Sequence, residues 1–204
     1  AVDSLGDPIE PEPRCDPERP GFFTRYTAGK ALAAGRLFVV TSNLRRSSEA
    51  RYQPGTLLVH ELDRSTQPPT LRPDVATPVI FTTGFNPTAA TAYTNPDGRE
   101  LVLVTVSGAI GTGTGASNVR TAGAIDVIDA ASARLVETIP LGLAGPSFDR
   151  LAIEPRGRVA LIGAASERHL YAIDLAPLAE PALYAMEDEV VRLDGSQPGF
   201  PDAR

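Results

Sequence analysis

The middle of the chain reads Gly98-Arg99-Glu100-Leu101-Val102-Leu103-Val104-Thr105-Val106, a glycine-arginine pair that leads into an apolar run. The same pair recurs as Gly35-Arg36 before residues 37–41 and as Gly157-Arg158 before residues 159–162. A pattern that returns at intervals of about 60 residues is typical of structural units in tandem. The sequence therefore predicts three equivalent units.

Each unit reads as four β-strands. A short alternating segment precedes each glycine-arginine pair, at residues 30–34, 89–94 and 150–154, and the glycine supplies the positive φ of a hairpin turn. A third strand is predicted at residues 56–62, 124–129 and 170–175, with an acid near its end to accept turn hydrogen bonds, namely Glu61, Asp129 and Asp174. A closing strand ends in Gly84, Gly142 and Gly195, with a proline soon after each.

Four strands per repeated unit predict an all-β fold, a β-propeller with three four-stranded antiparallel blades. We expect blade one at residues 22–84, blade two at 85–142 and blade three at 143–195. Residues 1–21 are predicted to form an extended polar leader, and residues 196–204 to begin a further blade.

Propellers close with typically four to eight blades, so three blades predict a partial propeller. Either the chain is a fragment of a longer protein, or two copies complete a six-bladed ring. Open sheet edges favour one of these arrangements, because they invite pairing with another chain.

Two stretches resemble known propeller families. Residues 123–129, continuing through 134–142, resemble YVTN-type β-propeller repeats. Residues 42–57, which contain Ser42-Asn43, Arg51-Tyr52 and Gly55-Thr56-Leu57, are similar to propeller-like surface lipoproteins of high-GC bacteria. The resemblance covers roughly residues 28–198. It implies a propeller fold and a periplasmic, outer-membrane-associated or extracellular location, but no particular activity.

The composition excludes several classes of function. A net charge of −6 argues against a nucleic-acid partner, which requires a basic surface, and the composition predicts no membrane span. Cys15 is the single cysteine, so no intrachain disulfide or multi-cysteine zinc site can form. His60 and His169 are the only histidines, and the chain lacks a Gly-x-Ser-x-Gly motif. We therefore expect no metal, no cofactor and no catalytic residue.

The connections between the second and third strands differ in length, and this difference indicates where a partner binds. The first, at residues 42–55, carries Arg45, Arg46, Arg51 and Tyr52, and the second, at residues 107–123, carries Asn118 and Arg120. All such connections lie on one face of a propeller, and arginine offers a planar fork of donors. These residues are predicted to bind an acidic or carbohydrate partner. Alternatively, both connections are solvated insertions whose arginines pair with local carboxylates.

Three functions remain open at this stage. The leading hypothesis is a non-enzymatic, extracytoplasmic module that binds or scaffolds a protein or glycan partner. A second is an enzyme of the lactonase or quinoprotein type, whose site would need further blades. A third is a structural subunit of a surface assembly that associates with itself.

Overall fold

The computed structural model describes residues 24–46, 50–109, 121–165, 168–179 and 190–194. In that part of the chain every regular element is a β-strand, apart from one turn of 3-10 helix at Ala176–Ala179. The strands form three antiparallel sheets that follow one another along the chain. The predicted all-β class and antiparallel pairing are thus confirmed, while the leader at 1–21 and residues 196–204 lie outside the described residues.

The first sheet has five strands, one more than the sequence predicted. They are β1 (Thr24–Ala33), β2 (Arg36–Arg46), β3 (Ala50–Asp63), β4 (Thr70–Pro73) and β5 (Val79–Phe85). The long β3 shares one edge between two partners, because residues 60–63 pair with β4 and residues 54–58 pair with β5. The extra strand forms because Asp74 accepts hydrogen bonds from the amides of Ala76 and Thr77, in a turn that leads from β4 to β5.

The second and third sheets are four-stranded, and their strands pair in chain order. The second sheet contains β6 (Pro87–Thr94), β7 (Glu100–Val106), β8 (Gly123–Asp129) and β9 (Arg134–Gly142). The third sheet contains β10 (Ala152–Ile153), β11 (Val159–Gly163), β12 (His169–Asp174) and β13 (Val190–Asp194). Each strand of these two sheets therefore pairs only with strands that are next to it in the chain.

A common register relates the three sheets. The ladder between the second and third strands begins with Arg36 opposite Glu61, Leu101 opposite Asp129 and Val159 opposite Asp174. Next to each pair, the residue that follows the third-strand member donates its amide to the carbonyl of the residue that precedes the second-strand member. An example is the bond from the Ala130 amide to the Glu100 carbonyl. We number positions along the second strand of each sheet from this pair, so that Arg36, Leu101 and Val159 are position 1. The odd face of a sheet carries positions 1, 3 and 5, and the even face carries positions 2, 4 and 6.

Consecutive sheets pack face to face with a constant polarity. The odd face of the first sheet, with Phe38 and Val40, forms one apolar cluster with Val102 and Val104 of the even face of the second sheet. The odd face of the second sheet packs in the same way on the even face of the third. Its cluster includes Leu101 and Leu103 from β7, and Ala160 and Ile162 from β11.

Among the polar contacts that cross these interfaces, two lie at equivalent positions, and we call them the polar anchors. The buried Asp126 carboxylate accepts hydrogen bonds from the Thr83 amide at 2.8 Å and from the Thr83 hydroxyl at 2.6 Å. The Tyr171 hydroxyl donates a hydrogen bond to the Leu141 carbonyl at 2.7 Å. Thr83 and Leu141 each precede the glycine near the end of the fifth and ninth strands, so the two anchors join the same places in successive sheets.

The first strands of the first two sheets approach each other at Gly29. A Cβ at this position would lie 2.7 Å from the Ala90 amide nitrogen and 2.9 Å from the Ala89 carbonyl carbon. Both contacts are with backbone, which cannot rotate away as a side chain can. Glycine is therefore required where β1 packs against β6.

We expect Gly29→Ala to lower the free energy of unfolding by about 1–3 kcal/mol, because the added methyl group forces the two strands apart. Gly163→Ala is a matched control, since its Cβ would meet no heavy atom closer than 3.6 Å. Urea unfolding followed by circular dichroism measures both variants. Equal stabilities for the two would contradict the close approach at Gly29.

Candidate functional site

One end of the three sheets carries most of the connections that sequence analysis selected. We call it the hairpin end, and it contains the β2–β3 turn, the β7–β8 connection and the links between sheets at Asn86 and Pro146. Hydrogen bonds tie these segments together: the Ser107 amide donates to the Asn86 carbonyl, and the Ser42 hydroxyl donates to the Asn86 side chain at 3.2 Å. The end is consequently built from parts of several sheets.

The first predicted connection is mainly strand. Sequence analysis treated residues 42–55 as a loop, but β2 continues to Arg46 and β3 begins at Ala50. After a register shift between Thr41 and Asn43, the ladder resumes with Asn43 opposite Gln53 and ends with Arg46 opposite Ala50. An extended hairpin satisfies backbone hydrogen bonds that a loop of this length would leave to water.

The ladder of this hairpin is longer than the equivalent ladder of the second sheet. The β7–β8 ladder ends with Val106 opposite Ala124, which is the sixth position by the common register. The β2–β3 ladder goes on to Arg46, five residues beyond that position. At about 3.3 Å per residue, the difference is roughly 15 Å of additional strand.

The predicted binding residues of this hairpin share its extension. Arg45 lies directly opposite Arg51 in the backbone register, and Arg46 lies opposite Ala50. Tyr52 lies opposite Leu44, and its side chain is half-buried. Burial raises the pKa of the Tyr52 phenol, because desolvation disfavours the phenolate. The phenol therefore remains a neutral hydrogen-bonding group at physiological pH.

The remaining two predicted residues, Asn118 and Arg120, lie outside the described residues. The described parts of their connection end at Ala109 and resume at Thr121. The Thr121 hydroxyl accepts a hydrogen bond from the Ala109 amide at 2.7 Å, and the Thr121 amide donates one to the Ala109 carbonyl. These bonds close the base of the connection at the hairpin end.

A cleft of about 390 Å³, which sequence analysis missed, opens between the first strands of the sheets. We call it the first-strand cleft. It lies between β1, β6 and the segment that enters β10. Its polar and aromatic side chains are Thr27, Lys30, Thr88, Phe148, Asp149 and Arg150. No local motif marks it, because three segments far apart in sequence contribute to its walls.

The first-strand cleft has a fixed floor and a basic rim. The Arg150 guanidinium donates a long hydrogen bond of 3.4 Å to the Lys30 carbonyl, so the two basic residues come from neighbouring walls. Asp149 is held in place because its carbonyl accepts from the Thr105 hydroxyl and its carboxylate accepts from the Arg150 amide. Phe148 is 60% exposed. An open cleft with two cations, one carboxylate and an exposed ring suits a partly apolar ligand that carries an anionic group.

The cleft adjoins the hairpin. Thr27 pairs with Thr41, immediately before the register shift at which the hairpin extension starts. Thr88 shares a 3.0 Å hydrogen bond with Ser107, the residue that follows β7. The first-strand cleft and the extended hairpin are therefore parts of one end of the molecule.

The acids near the ends of the third strands have structural roles. The carboxylates of Asp129 and Asp174 accept turn hydrogen bonds, as the sequence predicted, but in the first sheet Asp63 does so instead of Glu61. Hydrogen bonds from Ser132 and the Arg99 guanidinium hold the pKa of Asp129 below its usual value, although burial opposes them. Glu61 instead pairs with Arg72, at 3.2 Å.

The histidines lie far apart in the fold. His60 belongs to β3 of the first sheet, and His169 is the first residue of β12 in the third, where its ring meets Tyr171 edge-on with 4.9 Å between centroids. Within the described ranges no three histidine, cysteine or carboxylate side chains are grouped to hold a metal ion.

Comparisons with known proteins add no relative. No protein-family model matches the chain, and a search of curated proteins finds no match. Over the residues that the structure covers, none of the helical segments has the length and apolar character needed to cross a bilayer.

The Asp126 anchor predicts a pH effect on stability. Burial raises the pKa of its carboxyl above 3.8, against the opposing effect of the Thr83 and Thr138 hydrogen bonds. The native state thus holds the proton more tightly than the unfolded chain does. This carboxyl adds stability below its ordinary pKa, and the contribution is lost as the pH rises through the raised native value.

We expect Asp126→Asn to destabilise the protein by about 1–3 kcal/mol at acidic pH, because an amide offers one acceptor oxygen where both carboxyl oxygens accept hydrogen bonds. The deficit should shrink toward neutral pH, where the wild type has lost its contribution. Urea unfolding across the pH range measures it, with the exposed Asp97→Asn as control. A deficit that grows toward neutral pH would contradict the raised pKa.

Proposed function

We propose that the chain is a run of β-propeller blades acting as an extracytoplasmic binding or scaffolding module, which recognises an acidic protein or glycan partner through the hairpin end. The family resemblance to YVTN-type repeats and to surface lipoproteins supports the extracytoplasmic location. Three consecutive antiparallel sheets stacked with constant polarity support the propeller, because successive blades pack on each other in this way.

A single observation carries the binding proposal: the extended β2–β3 hairpin places Arg45 opposite Arg51. Like charges at directly opposed ladder positions are destabilising by themselves. An anionic partner turns this cost into a favourable interaction, since guanidinium groups bind carboxylates and phosphates in forked geometry. The additional strand, roughly 15 Å longer than the β7–β8 ladder, offers this partner an extended contact surface.

Charge distribution agrees with this interpretation. The chain has a net charge of −6, yet Arg45, Arg46 and Arg51 lie together on the hairpin, and Lys30 and Arg150 line the adjoining cleft. Basic residues grouped on one hairpin create a local positive potential, which attracts an anionic partner to that place. Specificity would then come from the half-buried Tyr52 and from the exposed ring of Phe148.

We expect simultaneous reversal of Arg45, Arg46, Arg51 and Arg120 to glutamate to abolish binding of acidic polymers without unfolding the protein. Polygalacturonate and polyglutamate are suitable probes for a glycan and a protein partner respectively. Binding is measured by interferometry on immobilised protein at several salt concentrations, because electrostatic recognition weakens with ionic strength.

The matched control reverses Arg64, Arg134, Arg156 and Arg158, which are exposed and lie at the opposite ends of the strands. This control changes the net charge by the same amount. Equal losses in both variants would indicate non-specific attraction and contradict the assignment of the hairpin end. Failure of the wild type to bind either polymer would contradict the class of partner.

The first-strand cleft gives a second prediction. We expect Lys30→Glu combined with Arg150→Glu to weaken binding of a short galacturonate oligomer about tenfold, since a charged hydrogen bond contributes roughly 1.5 kcal/mol. Calorimetry measures the change, and stability is checked by thermal unfolding. If only the hairpin variant affects the oligomer, the cleft takes no part in recognition.

A further inference from the structure

Two faces of the stack lack a neighbouring sheet among the described residues. The second sheet is covered on both faces, and every residue of β8 is buried as a result. As far as the described residues go, the first sheet packs through its odd face and the third sheet packs through its even face. The even face of the first sheet and the odd face of the third sheet are therefore left uncovered.

Both uncovered faces are apolar. On the first sheet, Leu58 pairs with Val79 and Phe81 pairs with Thr56, and Phe81 is 46% exposed. On the third sheet, Leu161 and Leu170 are 39% and 41% exposed. An antiparallel sheet with one face in water normally alternates apolar and polar residues, so apolar residues on both faces indicate a sheet that is covered twice.

The two uncovered faces are also of opposite kinds. Inside the chain, an odd face always packs on the even face of the next sheet. The third sheet offers an odd face and the first sheet offers an even face. These are the two halves of the interface that the chain already forms twice, so one molecule carries both parts needed to bind another copy of itself.

We propose that the occupant of these faces is a second copy of this chain, with the third sheet of each copy packed on the first sheet of the other. A twofold axis forms both contacts at once, so that neither copy retains an uncovered face. The assembly has six stacked sheets, within the range in which propellers close. The inference rests on the same stacking as the proposed propeller, but not on any acidic partner.

This arrangement differs from pairing through strand edges. The outer edges of the first and third sheets carry backbone groups, whereas the proposed contact buries side chains from the sheet faces. Face contacts are specific to the register, because a shift of one position exchanges the odd and even sets. The proposed dimer therefore depends on named apolar side chains that can be changed without altering the ladders.

The wild-type chain should have a mass in solution of twice 21.5 kDa. Light scattering coupled to size exclusion, repeated over a dilution series, measures this mass. A monomer at every concentration would overturn the proposal. It would then follow that these faces are covered by something other than a second copy, such as further sheets of a longer polypeptide.

Two single variants test the polarity of the contact. Phe81→Glu alters the even face of the first sheet, and Leu161→Glu alters the odd face of the third. Each should weaken dimerisation on the order of 100-fold, because a charge is placed in an apolar contact. Val75→Glu is the control, since Val75 is 91% exposed in the turn after β4 and belongs to neither face.

Mixing the two variants provides the decisive measurement. A mixed pair retains one unaltered contact, so the mixture should contain more dimer than either variant alone. Dissociation by only one of the two substitutions would indicate pairing of like faces and overturn the head-to-tail arrangement. Circular dichroism checks that each variant is folded. A hairpin-reversal variant that stays dimeric but loses polymer binding separates this inference from the proposed function.

Discussion

Every sheet in the molecule has apolar side chains on both faces, and the rest of the structure depends on this constraint. A β-strand exposes alternate residues on opposite faces, so a sheet of this composition is stable only between two neighbours. The second sheet satisfies the condition completely, since Leu101 and Leu103 enter one cluster while Val102 and Val104 enter the other. Buried polar side chains within the strands, such as Asp126, Thr56 and Thr105, are accordingly hydrogen-bonded.

The close stacking of the sheets also explains the positions of some glycine and arginine residues. Gly123 permits the Pro146 ring to pack at the link between the second and third sheets, where a Cβ would lie 2.5 Å from the proline Cδ. Arg36 binds Asp74 at 2.8 Å and donates to the carbonyls of Ala130 and Ala131, which joins the first sheet to a turn of the second. Arg99 makes the corresponding ion pair with Asp129 inside its own sheet.

The repeated pattern in the sequence was sufficient to predict most strands. Residues 101–106 and 124–129 were placed correctly because apolar runs bounded by turn residues leave few alternatives. The strand at Thr70–Pro73 was missed, since its exposed residues carry no alternation and its pairing depends on the unusual length of β3. The hairpin extension was mistaken for a loop, because its closely spaced arginines are typical of loops and the pairing of Arg45 with Arg51 is visible only in the register.

Only the part of the candidate site that is local in sequence could be predicted. Arg45, Arg46, Arg51 and Tyr52 lie in one local segment, so sequence alone grouped them. The first-strand cleft depends on Lys30 and Arg150, which are 120 residues apart and meet only after the sheets have stacked. No local sequence pattern identifies residues that come together only in the folded structure.

The two polar anchors fill one structural role with different chemistry. Asp126 and Tyr171 occupy corresponding places and reach corresponding backbone neighbours, yet one side chain accepts hydrogen bonds and the other donates. This place in the sheet sets a distance to be bridged, and two different side chains bridge it with opposite hydrogen-bond roles. Aligning the sheets by residue identity would not match Asp126 with Tyr171, whereas aligning them by ladder register does.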